Sequence, residues 1–538
     1  MRMLRALRNA SAAFTLLASA SLAGGYSALA AEFRWASSGD VQSLDPHFTI
    51  ETFSTSMLAN VYEPLVRRLP DMKLEPALAT SWEQTNPLTW TFRLRQDVTF
   101  QDGTPFTAAD VLFSFERASS PGSAIKGYFA AVDRIEATDP YTVVFKMKRV
   151  DPILPEEISA WLIMSKAWSE QHGAAKASGA ATAAESFATL NAMGTGPFHV
   201  VTREPGVKTV FEANPKWWDK PQHNVTKATY LAIPNQATAV AALLAGSIDM
   251  IYDVPSDAVD NLSRSSGIKI LTRPELRVIY VGFDVTREEL LDSSVKGKNP
   301  FKDPRVRRAF AEAIDVQAIK RSVMRGLSQP TFMMVADGIK GYNKDLNIRP
   351  TYSPASAKKL LAEAGYPDGF TLGMDCPNDR YPKDEDTCQA IVGMLAKIGI
   401  KVNLLAQTKT RMFPKVFSPR FETSFFLLGW APSSNDAHSA YERLLYSRGR
   451  STEKGTYNIT GFHNDQFDGL IDAAGVEIDP VKRQAMLDEA ARIVQREMPT
   501  VPLHQPLLVW AARDGVTVEQ YPDDFFPLRL VRVGKTGG

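Results

Sequence analysis

The stretch Thr89-Trp90-Thr91-Phe92-Arg93-Leu94-Arg95, followed closely by Asp102-Gly103-Thr104-Pro105-Phe106-Thr107-Ala108-Ala109-Asp110-Val111, decides how this chain is read. Trp90, Phe92 and Leu94 alternate with Thr91, Arg93 and Arg95, the period of a strand with one buried face. Asp102-Gly103 marks a tight turn. Thr107 then starts a helix, and Asp110 three residues on makes an acidic variant of the capping box. Val111, Leu112 and Phe115 supply its apolar stripe.

The same grammar repeats outward. Asp303-Pro304 is an N-cap followed by Pro at the first helical position, leading into Val306, Phe310 and Ile314. Ser353-Pro354 opens a second such helix, with Leu360 and Leu361 on its apolar face and Gly365 as its stop. A long amphipathic helix is expected over 481–498, carrying Met486, Ile493 and Val494. Residues 174–184, rich in Ala, Gly and Ser, read as a surface loop or weak helix without chemistry. Short strands and helices alternate throughout without internal repeats, which is α/β or α+β patterning.

The N-terminus reads as a Sec signal peptide over 1–30. Arg2, Arg5 and Arg8 form a basic region, an apolar run with Phe14, Leu16 and Leu17 follows, and Ala28 and Ala30 form the small-residue cleavage site. The run is shorter than the roughly 20 residues that span a bilayer. No Cys stands at the cleavage site, so the expected product is a soluble periplasmic protein. With the three arginines set aside, 58 basic side chains face 60 acidic ones, about −2. That balance argues against nucleic acid or an anionic membrane as main partner. About 500 mature residues imply two or more domains.

Cys376 and Cys388, the only cysteines, bracket a polar, turn-rich stretch. In an oxidising compartment they read as a disulfide closing a short loop. Motifs of catalysis are missing: no G-x-S-x-G elbow, no H-E-x-x-H and no P-loop. The seven histidines are dispersed, with none at metal-ligand spacing. Neither a cofactor nor a metal site is expected.

An ordered series of short motifs runs along the chain. It comprises Gly39-Asp40, Ser43-Leu44-Asp45-Pro46, Tyr62-Glu63-Pro64-Leu65, the Asp102 to Val111 block and Gly194-Thr195-Gly196-Pro197-Phe198. Asn214-Pro215-Lys216-Trp217-Trp218, Gly246-Ser247-Ile248-Asp249, Asp303-Pro304-Arg305-Val306-Arg307, Ala364-Gly365-Tyr366-Pro367, Gly429-Trp430 and Val501-Pro502-Leu503 follow. The series resembles the family 5 extracellular solute-binding proteins, the dipeptide-, oligopeptide- and nickel-binding components of ABC importers. The resemblance implies an α/β, two-lobed clam-shell with an extra domain inserted in lobe one. Lobe one would comprise 31–66, 191–273 and 504–538, the inserted domain 67–190 and lobe two 274–503. Most of the motifs read as turns, caps and packing.

In peptide-binding relatives an Asp three residues after the Gly-Trp motif holds the peptide ammonium. Here that position is Ser433, and the nearest carboxylate is Asp436. Either Asp436 takes over, or the loop has no fixed ammonium anchor. The expected ligand-binding residues are Trp430, Ser433, Asn435, Asp436 and His438. The expected function is capture of a peptide or peptide-like organic solute by hinge closure. A monomer would deliver that solute to an inner-membrane ABC permease with its ATPase subunits. An opine, glycopeptide or oligosaccharide stays open as cargo. So do a nickel or metal chelate, for which His438 beside Asp436 is the one feature, and a periplasmic hydrolase.

Overall fold

Thr89–Leu94 forms a strand whose Trp90, Phe92 and Leu94 are buried while Arg93 is exposed. The helix Ala108–Ser119 follows. Its capping box is closed by Ala109 N donating to Thr107 Oγ1 at 3.3 Å and Thr107 N donating to Asp110 at 2.9 Å. The structure, a computed structural model, describes residues 31–177, 186–432, 434–451 and 454–534. The expected signal peptide at 1–30 and Ser433 lie outside the described residues, as does most of 174–184. At the start of that stretch Ala175 and Lys176 are exposed loop residues, and only Ala174 departs from the surface-loop reading. Ala174 is buried, because its carbonyl accepts from Arg117 Nε at 3.0 Å.

The strand Thr89–Leu94 belongs to a four-stranded antiparallel sheet with Ala79–Asn86, Thr142–Met147 and Val132–Asp139. Its core holds Phe92, Phe100, Phe106, Phe145 and Trp161. Twelve further strands join one mixed sheet, and the rest form two short two-stranded ribbons, Val66–Arg68 with Leu74–Pro76 and Val516–Thr517 with Arg532–Val533. At its centre Val278–Phe283 pairs on one side with Phe425–Trp430 and on the other with the long strand Thr500–Arg513. Every residue of Val278–Phe283 is buried, and the two-residue period of a strand sorts them. Ile279, Val281 and Phe283 enter one core, and Val278 and Tyr280 enter another on the opposite face. Such continuous apolar strands belong to sheets covered on both faces. Gly282 is required here, because a Cβ would stand 2.2 Å from the Phe426 ring.

The far half of the sheet carries Ala31–Ser37 between the parallel neighbours Val225–Ala232 and Met250–Ile251. Phe33, Trp35, Tyr230, Trp510 and Phe526 pack on it. Three of the sequence motifs converge beneath this half on Glu63. It accepts from Trp217 Nε1 at 3.2 Å, Trp218 Nε1 at 2.8 Å and Thr195 Oγ1 at 2.9 Å. Gly194 and Gly196 lie so close to the Val61 carbonyl that a Cβ would meet it at 2.0 and 2.6 Å. Asp45 forms a fully buried pair with Arg117. These motifs therefore hold the fold, as their turn and cap chemistry indicated.

Cys376, in the strand Thr371–Pro377, is bonded to Cys388, in the helix Asp384–Ala396. The pair thus ties a central strand to its covering helix in addition to closing a loop. Reduction, or Cys388→Ala, is expected to cost about 2–3 kcal/mol, read as a lower denaturant midpoint with reductant than without.

Two buried histidines set an acid limit. Burial, with Arg117 nearby, drives His47 down to about 3, and burial, with Arg349 nearby, drives His504 down to about 4. Both imidazoles fold neutral, so below the unfolded value near 6.5 the unfolded chain binds the extra protons. Stability is expected to fall as pH drops from about 6.5 toward 4, by about 2 kcal/mol per histidine at pH 5. Denaturant titrations at pH 7 and pH 5 check this, with His504→Gln losing less than wild type over that interval.

Candidate functional site

The two halves of the large sheet meet along one strand. The Leu507 to Arg513 portion of Thr500–Arg513 pairs with Ile268–Pro274, and the Thr500 to Pro506 portion pairs with Val278–Phe283 and Ser328–Pro330. The chain therefore crosses the seam twice, side by side, through 274–278 and through 504–507. Glu275 N donates to Pro506 O at 2.9 Å and Gln505 Nε2 donates to Glu275 O at 2.9 Å, stitching the crossings together. Two adjacent strands form a narrow connection about which the halves can rotate.

At this seam stands Trp430, the last residue of Phe425–Trp430, paired with Val278. Its ring lies 5.2 Å from that of Tyr457, and its buried indole Nε1 has no hydrogen-bond partner among the described residues. Tyr381 packs beside the end of this strand and donates its hydroxyl to Gly429 O at 3.2 Å. Burial pushes the Tyr381 phenol up. Two guanidiniums flank the Tyr381 ring, Arg380 at 5.1 Å and Arg277 at 5.8 Å from its centroid. Arg277 Nε pairs with Glu275 at 3.0 Å. Arg380 is exposed, and its guanidinium makes no ion pair among the described residues. Together they form an aromatic ledge with an excess of cation.

On the other side of the crossings the chain carries two acids, Asp253 and Asp524. Asp253 accepts from Ser38 N, and Tyr252 donates to the Asp524 carbonyl. Asp524 is half-buried, and burial with the nearby Glu275 charge raises its carboxyl well above the usual range.

The expected loop residues fare differently. Asn435 is buried in a left-handed conformation (φ 57°), with Nδ2 3.4 Å from Gly338 O and Oδ1 unpartnered. Asp436 is engaged inside the fold. It has no exposure, and its two oxygens accept from Arg483 at 2.7 and 2.8 Å. It also caps the helix Ala437–Leu444 by accepting from His438 N at 2.8 Å. Both carboxylate oxygens are thus engaged within the fold. The His438 ring contacts Ile471 O at 3.0 Å through Nε2, away from any ligand set. Among the described residues no three His, Cys, Asp or Glu side chains gather as a candidate metal site.

Trp430 was legible from its motif. Arg380 and Tyr381 were overlooked inside the cysteine loop, where an Arg-Tyr pair among turn residues was the available signal. Arg277 and Tyr457 carried none, since their place depends on strand pairing.

The comparisons agree with this architecture. The glutathione-binding protein GsiB of Salmonella typhi is 27% identical over 483 residues, covering 88% of this chain and 89% of the relative. The periplasmic murein tripeptide binding protein MppA, in its unliganded open form, superposes with TM-score 0.78 at 22% identity, over 94% of this chain and 98% of that one. The periplasmic binding protein DppA of Helicobacter pylori, in complex with the peptide STSA, gives 0.69 at 25% identity, over 94% and 98%. The two-lobed α/β fold follows from these superpositions. The model of the bacterial extracellular solute-binding proteins, family 5 Middle, matches residues 73–452. This chain belongs to the family 5 bacterial extracellular solute-binding proteins.

Proposed function

We propose that the chain is the periplasmic solute-binding component of an ABC importer, closing its lobes on a peptide or peptide-like zwitterion and presenting it to a membrane permease. The single observation that carries the cargo reading is the charge division at the seam. Arg277 and Arg380 stand on the Tyr381 ledge of one lobe, and the segments of the other lobe next to the crossings carry Asp253 and Asp524. A solute carboxylate suits the guanidiniums, which present planar paired donors. Its ammonium suits the Asp253 carboxylate, which already accepts from Ser38 N. The ammonium contact thereby moves from the Gly-Trp loop, where Asp436 is committed to Arg483, to the other lobe. Trp430 and Tyr457 supply an aromatic wall, and the orphan indole N–H a donor for a peptide carbonyl.

Closure follows when the solute binds the closed arrangement better than the open one. In this reading residues 31–66, 191–273 and 504–538 form lobe one, 67–190 the insert and 274–503 lobe two. The shared strand Thr500–Arg513 is the hinge. The names of GsiB, MppA and the DppA complex favour short peptides as cargo. No covalent step is needed. Calorimetric titration of a bound peptide against its N-acetyl and C-amide derivatives tests the zwitterion reading. Each derivative is expected to bind on the order of tenfold more weakly. Equal affinity for all three forms would overturn it.

A further inference from the structure

Asp257 lies between the strand Met250–Ile251 and the helix Val259–Ser263, on one side of the seam. Its carboxylate reaches across to Arg325 Nη1 at 3.2 Å and to Lys383 Nζ at 3.8 Å, both on the other side. Arg325 precedes the strand Ser328–Pro330, and Lys383 stands immediately before the helix Asp384–Ala396, two residues beyond Tyr381. Both cations are borne on left-handed backbone, φ 49° and 55°. That conformation is costly for residues with a Cβ. Two such residues converging on one acid of the other lobe is an arrangement that chain connectivity does not require. A second ionic tie, Glu156 with Lys340, joins the insert to lobe two. Ionic ties thus span the seam besides the backbone crossings.

These contacts are made while the site is reachable from solvent. Arg380 is exposed, and Trp430 and Asp524 are partly so. Closure rotates one lobe against the other about 274–278 and 504–507, so a tie spanning the seam away from those crossings is altered by it. We propose that Asp257, held by Arg325 and Lys383, is an ionic latch that keeps the lobes apart when no solute is bound. Apparent affinity for any solute is the intrinsic affinity reduced by the fraction of chain in the competent closed form. A latch on the open form therefore lowers affinity and favours release. An exposed ion pair shifts such an equilibrium by up to about fivefold.

This inference rests on the hinge-closing reading, so its test avoids the solute. Single-molecule fluorescence energy transfer is recorded without ligand, between dyes on the exposed positions Val207 of lobe one and Val481 of lobe two. Asp257→Asn and, separately, Arg325→Gln are each expected to raise the closed fraction about two- to fivefold over the same labelled wild type. The double variant should add little to either single one. Salt at 0.5 M should move wild type toward the variants and shift Asp257→Asn less than wild type, since only the Glu156–Lys340 tie remains there to be screened. An unchanged or smaller closed fraction in both single variants would overturn the latch. Failure of every peptide to change the wild-type distribution would instead count against the zwitterion-capturing reading and leave the latch result standing.

Discussion

Arg483→Met is expected to destabilise the protein by about 3–5 kcal/mol, because it strands the Asp436 carboxylate, without exposure, in the interior. Asp436→Asn is expected to cost a similar amount by stranding Arg483, although Asn still caps the helix Ala437–Leu444. The double variant should recover most of the loss, since removing both charges of a buried pair is far milder than removing one. Denaturant unfolding of the four proteins measures this cycle. If Asp436→Asn instead left stability within about 1 kcal/mol of wild type and weakened only amine-bearing solutes, Asp436 would be a ligand anchor after all. The geometry argues otherwise, because Arg483 also donates from Nε to Ala474 O at 3.0 Å and is thereby locked to the helix Asp465–Ala474.

The second large effect concerns the aromatic wall. Trp430→Ala is expected to weaken solute binding by about 3 kcal/mol, on the order of a hundredfold, as truncation of a central aromatic anchor does. Trp430→Phe separates the ring from its N–H. It keeps the stacking surface opposite Tyr457 and removes the orphan donor, for an expected loss of about fivefold. Titration calorimetry on the folded variants reads both. Undiminished affinity in Trp430→Ala would remove the aromatic wall from the site.

What the sequence disclosed was whatever is decided within a few residues. Asp303 caps Pro304–Ala313 with Pro at the first position, Ser353 caps Pro354–Glu363, and Gly365 takes φ 90° after it. The long helix, Pro480–Glu497, is capped by Asp479 and ends at a left-handed Met498. Such caps are local chemistry and survive any tertiary arrangement. The cysteine pair was legible because its oxidation needs only proximity and compartment. Trp430 stood out through its motif. The Asp436 ion pair was not legible, because its partner Arg483 sits 47 residues on, in a helix whose pattern showed only an apolar stripe. Arg277 faces Tyr381 only because Val278 pairs with Trp430, a register fixed by long-range sheet assembly. The Asp257 contact is likewise made by two segments distant in sequence, and charge patterning along either one is ordinary.

Thermal unfolding of the mature chain against di- to tetrapeptides and glutathione, with neutral oligosaccharides in parallel, tests the central claim most directly. A peptide at about a hundred times its dissociation constant should add about 2.7 kcal/mol of stability and raise the midpoint accordingly. The account predicts that shift for at least one free, zwitterionic peptide and none for the oligosaccharides. A midpoint raised by an oligosaccharide and by no peptide would contradict it.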